Sequence, residues 1–197
     1  MSYELYQTEG VIIKSREIGE ADKFLSVFTK DFGRIELLAK GARKLNSKLN
    51  FHLNTFDYSR FAFVSGKEFW RLTDAEKISS WPKVGNDKLK IESLANIGRF
   101  LEKMLRGEDK NENLWRLLKT ALMFLNDREF KKDDLKIFEA LIILRILFLL
   151  GYVDNSDGLS AELTADSEIS YDFLNKYKNF RPQILKIIRD GISMSGL

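Results

Sequence analysis

Cysteine is absent from the 197-residue sequence, which also has a single histidine, His52, and only two prolines. Without cysteine the chain has no disulfides, no thiolate metal sites and no cysteine nucleophile. One histidine cannot form a multi-histidine metal site, and it gives little scope for hydrolase triad chemistry. We therefore expect no metal, no cofactor and no enzymatic activity, and we interpret His52 as a loop or strand-start residue.

Long hydrophobic segments are also missing. The longest apolar run, residues 140–150, is interrupted by Arg145 and is too short to span a bilayer. The first ten residues lack the charged-then-apolar layout of a signal peptide. A composition with 44% apolar and 31% charged residues and a net charge of +3 is typical of globular proteins. We expect a cytoplasmic protein without membrane contact.

The first eighty residues carry the β-branched and alternating patterns of strands. These patterns predict five strands, at residues 10–14, 23–30, 34–40, 51–64 and 69–78. Gly19 and Gly33 are expected in turns, and residues 65–68 in a hairpin turn. The large side chains change phase between Tyr58 and Phe61, which predicts a β-bulge near residues 59–60. Five short strands suit a small closed barrel of the OB or SH3 kind.

The remaining residues have the spacing of apolar positions that is typical of helices. A linker is predicted at residues 81–87, between a barrel domain at 1–80 and a helical domain at 88–197. Helices are predicted at 89–106 and 111–125, followed by a buried central helix at about 134–150 with Asp133 as its N-cap and Gly151 at its end. Residues 154–170 are expected to be irregular, and two more helices are predicted at 171–179 and from Pro182 onward. The fold class is α+β with two domains.

Basic side chains are frequent in the barrel half, and we select eight as candidate phosphate contacts: Lys14, Arg16, Lys23, Arg34, Lys40, Arg43, Lys44 and Lys48. Between residues 37 and 56 there are four bases and no acid, in a polar segment expected to be a mobile loop. Phosphates attract such a segment. The alternative is ordinary solvated charge, because Glu17, Asp22 and Glu36 lie close in sequence.

Aromatic residues are numerous between residues 51 and 70, and most of them are needed to fill a small barrel. We select Tyr58 and Trp70 as exposed rings on which bases could stack. The first helix of the second domain is expected to have a basic outer face that includes Lys88, Lys90 and Lys103. That face could continue a DNA path or bind a partner, although a solvated helix face is the simpler interpretation.

Several separated blocks of the chain carry a resemblance to a known family. They are Thr8–Ile12, Gly19–Asp22, Phe28–Thr29, Gly33–Ile35 and Ala39–Arg43, with a Leu-Gly-Tyr ending of the central helix at residues 150–152. In order and spacing these blocks resemble the bacterial recombination mediator family RecO. The resemblance implies an OB-fold barrel followed by a helical bundle domain.

The resemblance also implies a non-enzymatic function at the bacterial nucleoid. Members bind single- and double-stranded DNA and promote annealing of complementary strands. With RecR they help to load recombinase onto strands coated by single-strand binding protein, whose C-terminal tail they bind. Many members carry a four-cysteine zinc module after the central helix, whereas residues 153–170 contain no cysteine. We therefore expect a short form without zinc.

A second interpretation remains open, in which the chain is an adaptor whose barrel binds a protein and no nucleic acid. The two differ in what they expect of the barrel surface. A contiguous positive groove favours DNA, whereas bases interrupted by Glu17, Asp22 and Glu36 favour the adaptor.

Overall fold

The structure, a computed structural model, describes residues 4–49, 53–79, 81–105, 107–155, 158–165 and 169–196, so that His52 and the start of the predicted fourth strand lie outside the described residues. The chain divides into two compact units. The barrel unit comprises Met1–Trp81 and Leu105–Trp115, and the helical unit comprises Pro82–Met104 and Arg116–Leu197. The expected division assigned every residue after 87 to the helical domain, whereas the segment Leu105–Trp115 groups with the strands.

Five strands form the barrel: β1 (Leu5–Ile18), β2 (Asp22–Thr29), β3 (Gly33–Ala39), β4 (Tyr58–Val64) and β5 (Trp70–Ser79). They close in the order β1-β2-β3-β5-β4, with every pairing antiparallel except that of β3 with β5. Alternate side chains such as Leu25, Leu37 and Phe61 fill the interior and are fully buried. The predicted five-stranded OB-fold barrel is confirmed.

The fourth strand begins at Tyr58 rather than at residue 51. Phe56 precedes it with a positive φ of 72°, so its side chain does not share the alternation of the strand. The pairing of β4 with β5 is irregular beside Tyr58, as predicted, but the extra residue, Ile78, belongs to β5. A second extra residue on β5, Thr73, and one on β1, Ile13, were not predicted.

Tyr58 lies on the outside of the barrel wall yet is only 5% exposed. Its ring stacks on that of Trp81 with centroids 6.0 Å apart, and Trp115 lies 6.1 Å away. Its hydroxyl donates a hydrogen bond to Glu9 Oε2. Burial, reinforced by this bond to a carboxylate, raises the pKa of the Tyr58 hydroxyl. The prediction that Tyr58 presents an exposed ring is wrong, because the two tryptophans cover it.

The segment that returns from the helices packs on the turn between β2 and β3. The Arg34 N–H donates to the Gly107 carbonyl at 3.3 Å, and Trp115 lies 6.1 Å from Phe28 between ring centroids. Gly33 has a φ of +66°, and a β-carbon there would lie 2.3 Å from the carbonyl oxygen of Asp109. Glycine is therefore required at position 33 both by the backbone angle and by the space.

The helical part contains α1 (Pro82–Gly85), α2 (Lys88–Met104), α3 (Glu112–Asp127), α4 (Lys132–Leu149), α5 (Gly158–Thr164), α6 (Tyr171–Tyr177) and α7 (Arg181–Met194), with a 3₁₀ turn at Lys178–Phe180 before α7. Helix α4 is buried on all sides, and it contacts α2, α5, α6 and α7. The central helix predicted at about residues 134–150 overlaps α4. No helix among the described residues is long and apolar enough to cross a lipid bilayer.

Three local expectations in this region are wrong. Residues 82–85 form a short helix instead of an irregular linker, and residues 158–164 form α5 within a segment expected to be irregular. Asp133 lies in the first turn of α4, where Lys131 is the N-cap residue. A carboxylate in the first turn still stabilises the helix, because it lies near the positive end of the helix dipole.

Two buried cations donate hydrogen bonds to backbone carbonyls near helix ends. Lys90, which we expected on a solvent-facing surface of α2, is 1% exposed, and its ammonium group donates to the Arg128 carbonyl at 2.6 Å. Arg145 in α4 is 6% exposed, and its Nε donates to the Leu163 carbonyl at 3.0 Å. Both carbonyls lie where a helix ends, and such groups otherwise lack a partner within the helix.

We predict that Gly33→Ala destabilises the protein by about 3 kcal/mol, because it combines a left-handed backbone with overlap against Asp109. Gly19→Ala is the matched control, since Gly19 also has a positive φ of 55° but has open space where a β-carbon would stand. It should cost about 1 kcal/mol. Chemical denaturation measures both, and equal losses would contradict the packing of Asp109 on this turn.

We predict that Tyr58→Ala lowers the free energy of unfolding by about 3 kcal/mol, because it removes a buried ring from between two tryptophans. Phe69→Ala, at a ring that is 45% exposed, should cost about 1 kcal/mol or less. Urea denaturation followed by tryptophan fluorescence tests both changes. A Tyr58→Ala variant as stable as the unmodified chain would mean that the ring is not covered in solution.

Candidate nucleic-acid interface

The contact between β3 and β5 decides which aromatic ring of β5 faces outward. Two residue pairs form it, Leu37 with Trp70 and Leu38 with Arg71. Leu37 is fully buried, so Trp70 beside it also points inward and packs on the core. The Trp70 ring lies 5.1 Å from that of Phe63, and its Nε1–H donates to Glu108 Oε1 at 2.6 Å. Trp70 is therefore half-buried, and Phe69 is the ring that reaches solvent.

A row of paired residues crosses the outside of the barrel at this contact. Arg16 pairs with Phe24, Phe24 with Leu38, and Leu38 with Arg71. The Arg16 guanidinium lies 4.5 Å from the centre of the Phe24 ring, and Phe69 meets that ring edge-on at 4.8 Å. Lys14 is exposed two residues before Arg16. We call the set Lys14, Arg16, Phe24, Leu38, Phe69 and Arg71 the outer face.

The loop after β3, residues 40–49, is anchored to the turn between β1 and β2. The Gly41 N–H donates to Asp22 Oδ1 at 2.7 Å, and the Arg43 N–H donates to the Ala21 carbonyl at 2.8 Å. Ala42 between them is fully buried. Hydrogen bonds and a buried side chain therefore hold the first half of this loop in place. The sequence analysis expected a mobile loop and did not predict these contacts.

Three of the eight predicted cations are only partly exposed and have a polar neighbour: Lys23 donates to the Leu53 carbonyl at 3.3 Å, Arg34 lies 3.7 Å from Glu36, and Arg43 lies 2.9 Å from Glu17. The other five, Lys14, Arg16, Lys40, Lys44 and Lys48, are exposed. Across the described residues, Lys40, Lys44 and Lys48 form no ion pair.

Phe69 and Arg71 are surface residues that the choice of sites from sequence missed. The signal was present in the alternation of β5, where apolar Trp70 and Leu72 share one face and Arg71 lies on the other. Extending that alternation by one residue puts Phe69 on the same side as Arg71. Trp70 was selected from the sequence because it is the larger ring. The alternation of side chains along β5 instead identifies Phe69 as the exposed ring.

An open cleft of about 370 Å³ adjoins the outer face. Three carboxylates, Glu36, Glu68 and Glu108, line it together with Arg34 and Lys67. The alternating charges make this cleft a poor cradle for phosphate, in contrast to the outer face and the lysines of the loop. Within the described ranges, no group of three or more metal-ligating side chains could hold a metal ion.

Comparison with known proteins adds an independent finding. Residues 1–81 match the family model described as Recombination protein O N terminal. The chain is 28% identical over 153 residues to DNA repair protein RecO of Thermoanaerobacter sp. (strain X514), an alignment that covers 78% of this chain and 60% of the relative. It is 31% identical over 150 residues to DNA repair protein RecO of Thermodesulfovibrio yellowstonii, covering 75% and 58%.

A third relative, DNA repair protein RecO of Clostridium perfringens, is 30% identical over 149 residues, which cover 75% of this chain and 59% of that protein. The chain thus spans about three fifths of the length of these curated relatives. Because the alignments are much longer than the 81 residues of the family model, the similarity continues beyond the barrel. A closed OB-fold barrel, a buried central helix and this continuous similarity lead to one conclusion: the chain belongs to the RecO family.

Proposed function

We propose that this protein is a non-enzymatic, DNA-binding mediator of recombinational repair. The observation that carries the proposal is the outer face of an OB-fold barrel, where the Arg16 guanidinium lies over the Phe24 ring and the exposed ring of Phe69 meets Phe24 edge-on. Arg71 is exposed in the same row of paired residues, and Lys14 is exposed two residues before Arg16. Its relatives are named DNA repair proteins, which is consistent with a nucleic-acid partner.

The outer face offers the two kinds of contact that single strands use. Arginine and lysine side chains attract the phosphates, and an aromatic ring accepts any base because every base has a π face. The exposed Lys40 and Lys44 would extend the phosphate path around the β1–β2 turn. Such contacts do not read base edges, so the binding should have low sequence specificity.

The family resemblance extends the proposal to the protein's role. Binding of both single- and double-stranded DNA would allow the chain to hold complementary strands while they anneal. We further infer that a RecR-like protein and the C-terminal tail of single-strand binding protein are its partners in recombinase loading. These partners are inferred from the family, and a direct binding assay of the chain with each of them tests the inference.

We predict that the double variant Lys40→Ala/Lys44→Ala binds single-stranded DNA more weakly, by a similar factor for all sequences. Two phosphate contacts contribute about 1.4 to the slope of log affinity against log salt on single strands, so the slope should fall by about that amount. Fluorescence anisotropy titrations at four salt concentrations measure both quantities.

The matched control is Lys131→Ala/Lys132→Ala, which removes the same net charge from exposed positions at the start of α4. If both double variants lose the same affinity and slope, the effect is one of total charge and the loop has no specific role. An unmodified chain whose affinity does not change with salt would contradict phosphate binding altogether.

We predict that Phe69→Ala weakens binding of single-stranded DNA by about 1–3 kcal/mol, the range measured for one base stacked on an aromatic side chain. The salt slope should not change, because no charge is removed. Leu5→Ala, at a leucine of β1 that is 54% exposed, is the control for loss of an exposed apolar side chain. Unchanged affinity in Phe69→Ala would exclude this ring as a base platform.

A protein–protein adaptor is the second candidate, favoured by the ion pairs Arg43–Glu17 and Arg34–Glu36 and by the mixed charges of the cleft. Each pair neutralises a cation that DNA would otherwise use. Binding of an oligonucleotide at low salt distinguishes the two candidate functions, because phosphate contacts are strongest there. Failure of the unmodified chain to bind an oligonucleotide at 20 mM salt would favour the adaptor.

A further inference from the structure

Leu45, in the loop after β3, is 96% exposed, and it is the most exposed large apolar side chain that the structure describes. It stands at the first central position of a turn in which the Ser47 N–H donates to the Lys44 carbonyl at 2.9 Å. A leucine at the apex of a tight turn gains nothing from the surrounding fold. Its apolar surface is therefore available to a partner.

The base of this turn is fixed on both sides. Ala42 is fully buried before it, and the Lys44 N–H donates to the Gly41 carbonyl at 3.1 Å. After it, Leu49 packs against the barrel core, and its N–H donates to Ser47 Oγ. A tip held in this way is already ordered, so contact with a partner requires little further loss of conformational freedom.

The charge around Leu45 indicates the chemistry of the partner. Lys44 and Lys48 flank it and are exposed, as is the nearby Lys40, and residues 37–56 contain no acid. This arrangement complements a polyanion that also offers an apolar surface. In DNA the apolar surface is the face of the base pairs, and the anions are the phosphates on either side of it.

Leucine is poorly suited to single unstacked bases, which stack on aromatic rings. It is one of the side chains that proteins insert as wedges between base pairs, at the expense of unstacking them. At the end of a duplex the face of the last base pair is already exposed, so an apolar side chain can cover it without that expense. A junction between double- and single-stranded DNA presents such a face together with phosphates of both strands.

We propose that Leu45 packs on the terminal base pair at a junction between double- and single-stranded DNA, with Lys44 and Lys48 contacting the flanking phosphates. This inference rests on the proposed function and deepens it, because it names the DNA structure that the protein prefers. It gives Leu45 a role distinct from that of the outer face, which binds the single strand itself. An annealing protein with this contact would hold a newly formed duplex end.

The test compares the affinity for a hairpin carrying a single-stranded tail with that for a single strand having the same number of phosphates. 2-Aminopurine in the terminal base pair reports contact at the junction. The unmodified chain should prefer the junction by roughly tenfold, as expected for covering one leucine side chain. Leu45→Ala and Leu45→Ser should lose this preference and the fluorescence change, with single-strand affinity kept within about twofold.

Leu5→Ala controls for the loss of an exposed leucine elsewhere on the barrel and should keep the preference. If Leu45→Ala prefers the junction as strongly as the unmodified chain does, the inference is wrong while the proposed function stands. If the unmodified chain binds neither DNA, both are wrong. Sedimentation with vesicles of anionic phospholipid that depends on Leu45, without a junction preference, would overturn the inference in favour of a membrane surface.

Discussion

The barrel closes through only two residue pairs between β3 and β5, and the arrangement of its outer surface depends on them. Because side chains alternate along a strand, the pairing of Leu37 with Trp70 fixes the directions of Phe69, Arg71 and Leu72, which precede the first irregularity of β5 at Thr73. Trp70 completes the core, and Phe69 and Arg71 take positions beside Phe24 on the outside. A register shifted by one residue would bury Arg71 and expose the tryptophan. The stability of the core and the character of the surface are thus set by the same contact.

The sequence was sufficient to predict the five strands, the barrel, the buried central helix and most helix limits, because each depends on local periodicity. The sequence was insufficient for features that depend on strand pairing or on contacts between residues distant in sequence. The change of phase near Tyr58 was detected from the sequence, but the extra residues lie on the partner strand β5. The sequence also did not reveal that Trp81 and Trp115 cover the Tyr58 ring. Likewise, the spacing in α2 does not reveal that the ammonium group of Lys90 reaches the Arg128 carbonyl. Contacts between residues distant in sequence carry no local signal.

The acids near the candidate site have structural roles that composition alone could not assign. Asp22 accepts the Gly41 N–H, and Glu17 lies 2.9 Å from Arg43, whose side chain also donates to the Gly19 carbonyl at 3.2 Å. The β1–β2 turn and the following loop are therefore joined by a small set of polar contacts. Arg43 belongs to that set, although its sequence context is that of a phosphate contact. A partly exposed pair of this kind contributes up to about 1 kcal/mol, so its main effect is to fix geometry.

Polar contacts also have structural roles inside the helical unit, where two cations are buried. A buried charge is unfavourable unless it is paired or hydrogen-bonded, so Lys90 and Arg145 would destabilise the unit without their partners. Each donates to a carbonyl near the end of a helix, α3 for Lys90 and α5 for Arg145. Carbonyls at such positions receive no hydrogen bond from an N–H group of their own helix. One bond thus satisfies both a buried donor and a terminal acceptor. Arg145 also lies 5.1 Å from the centre of the Phe173 ring, so it connects α4 with both α5 and α6.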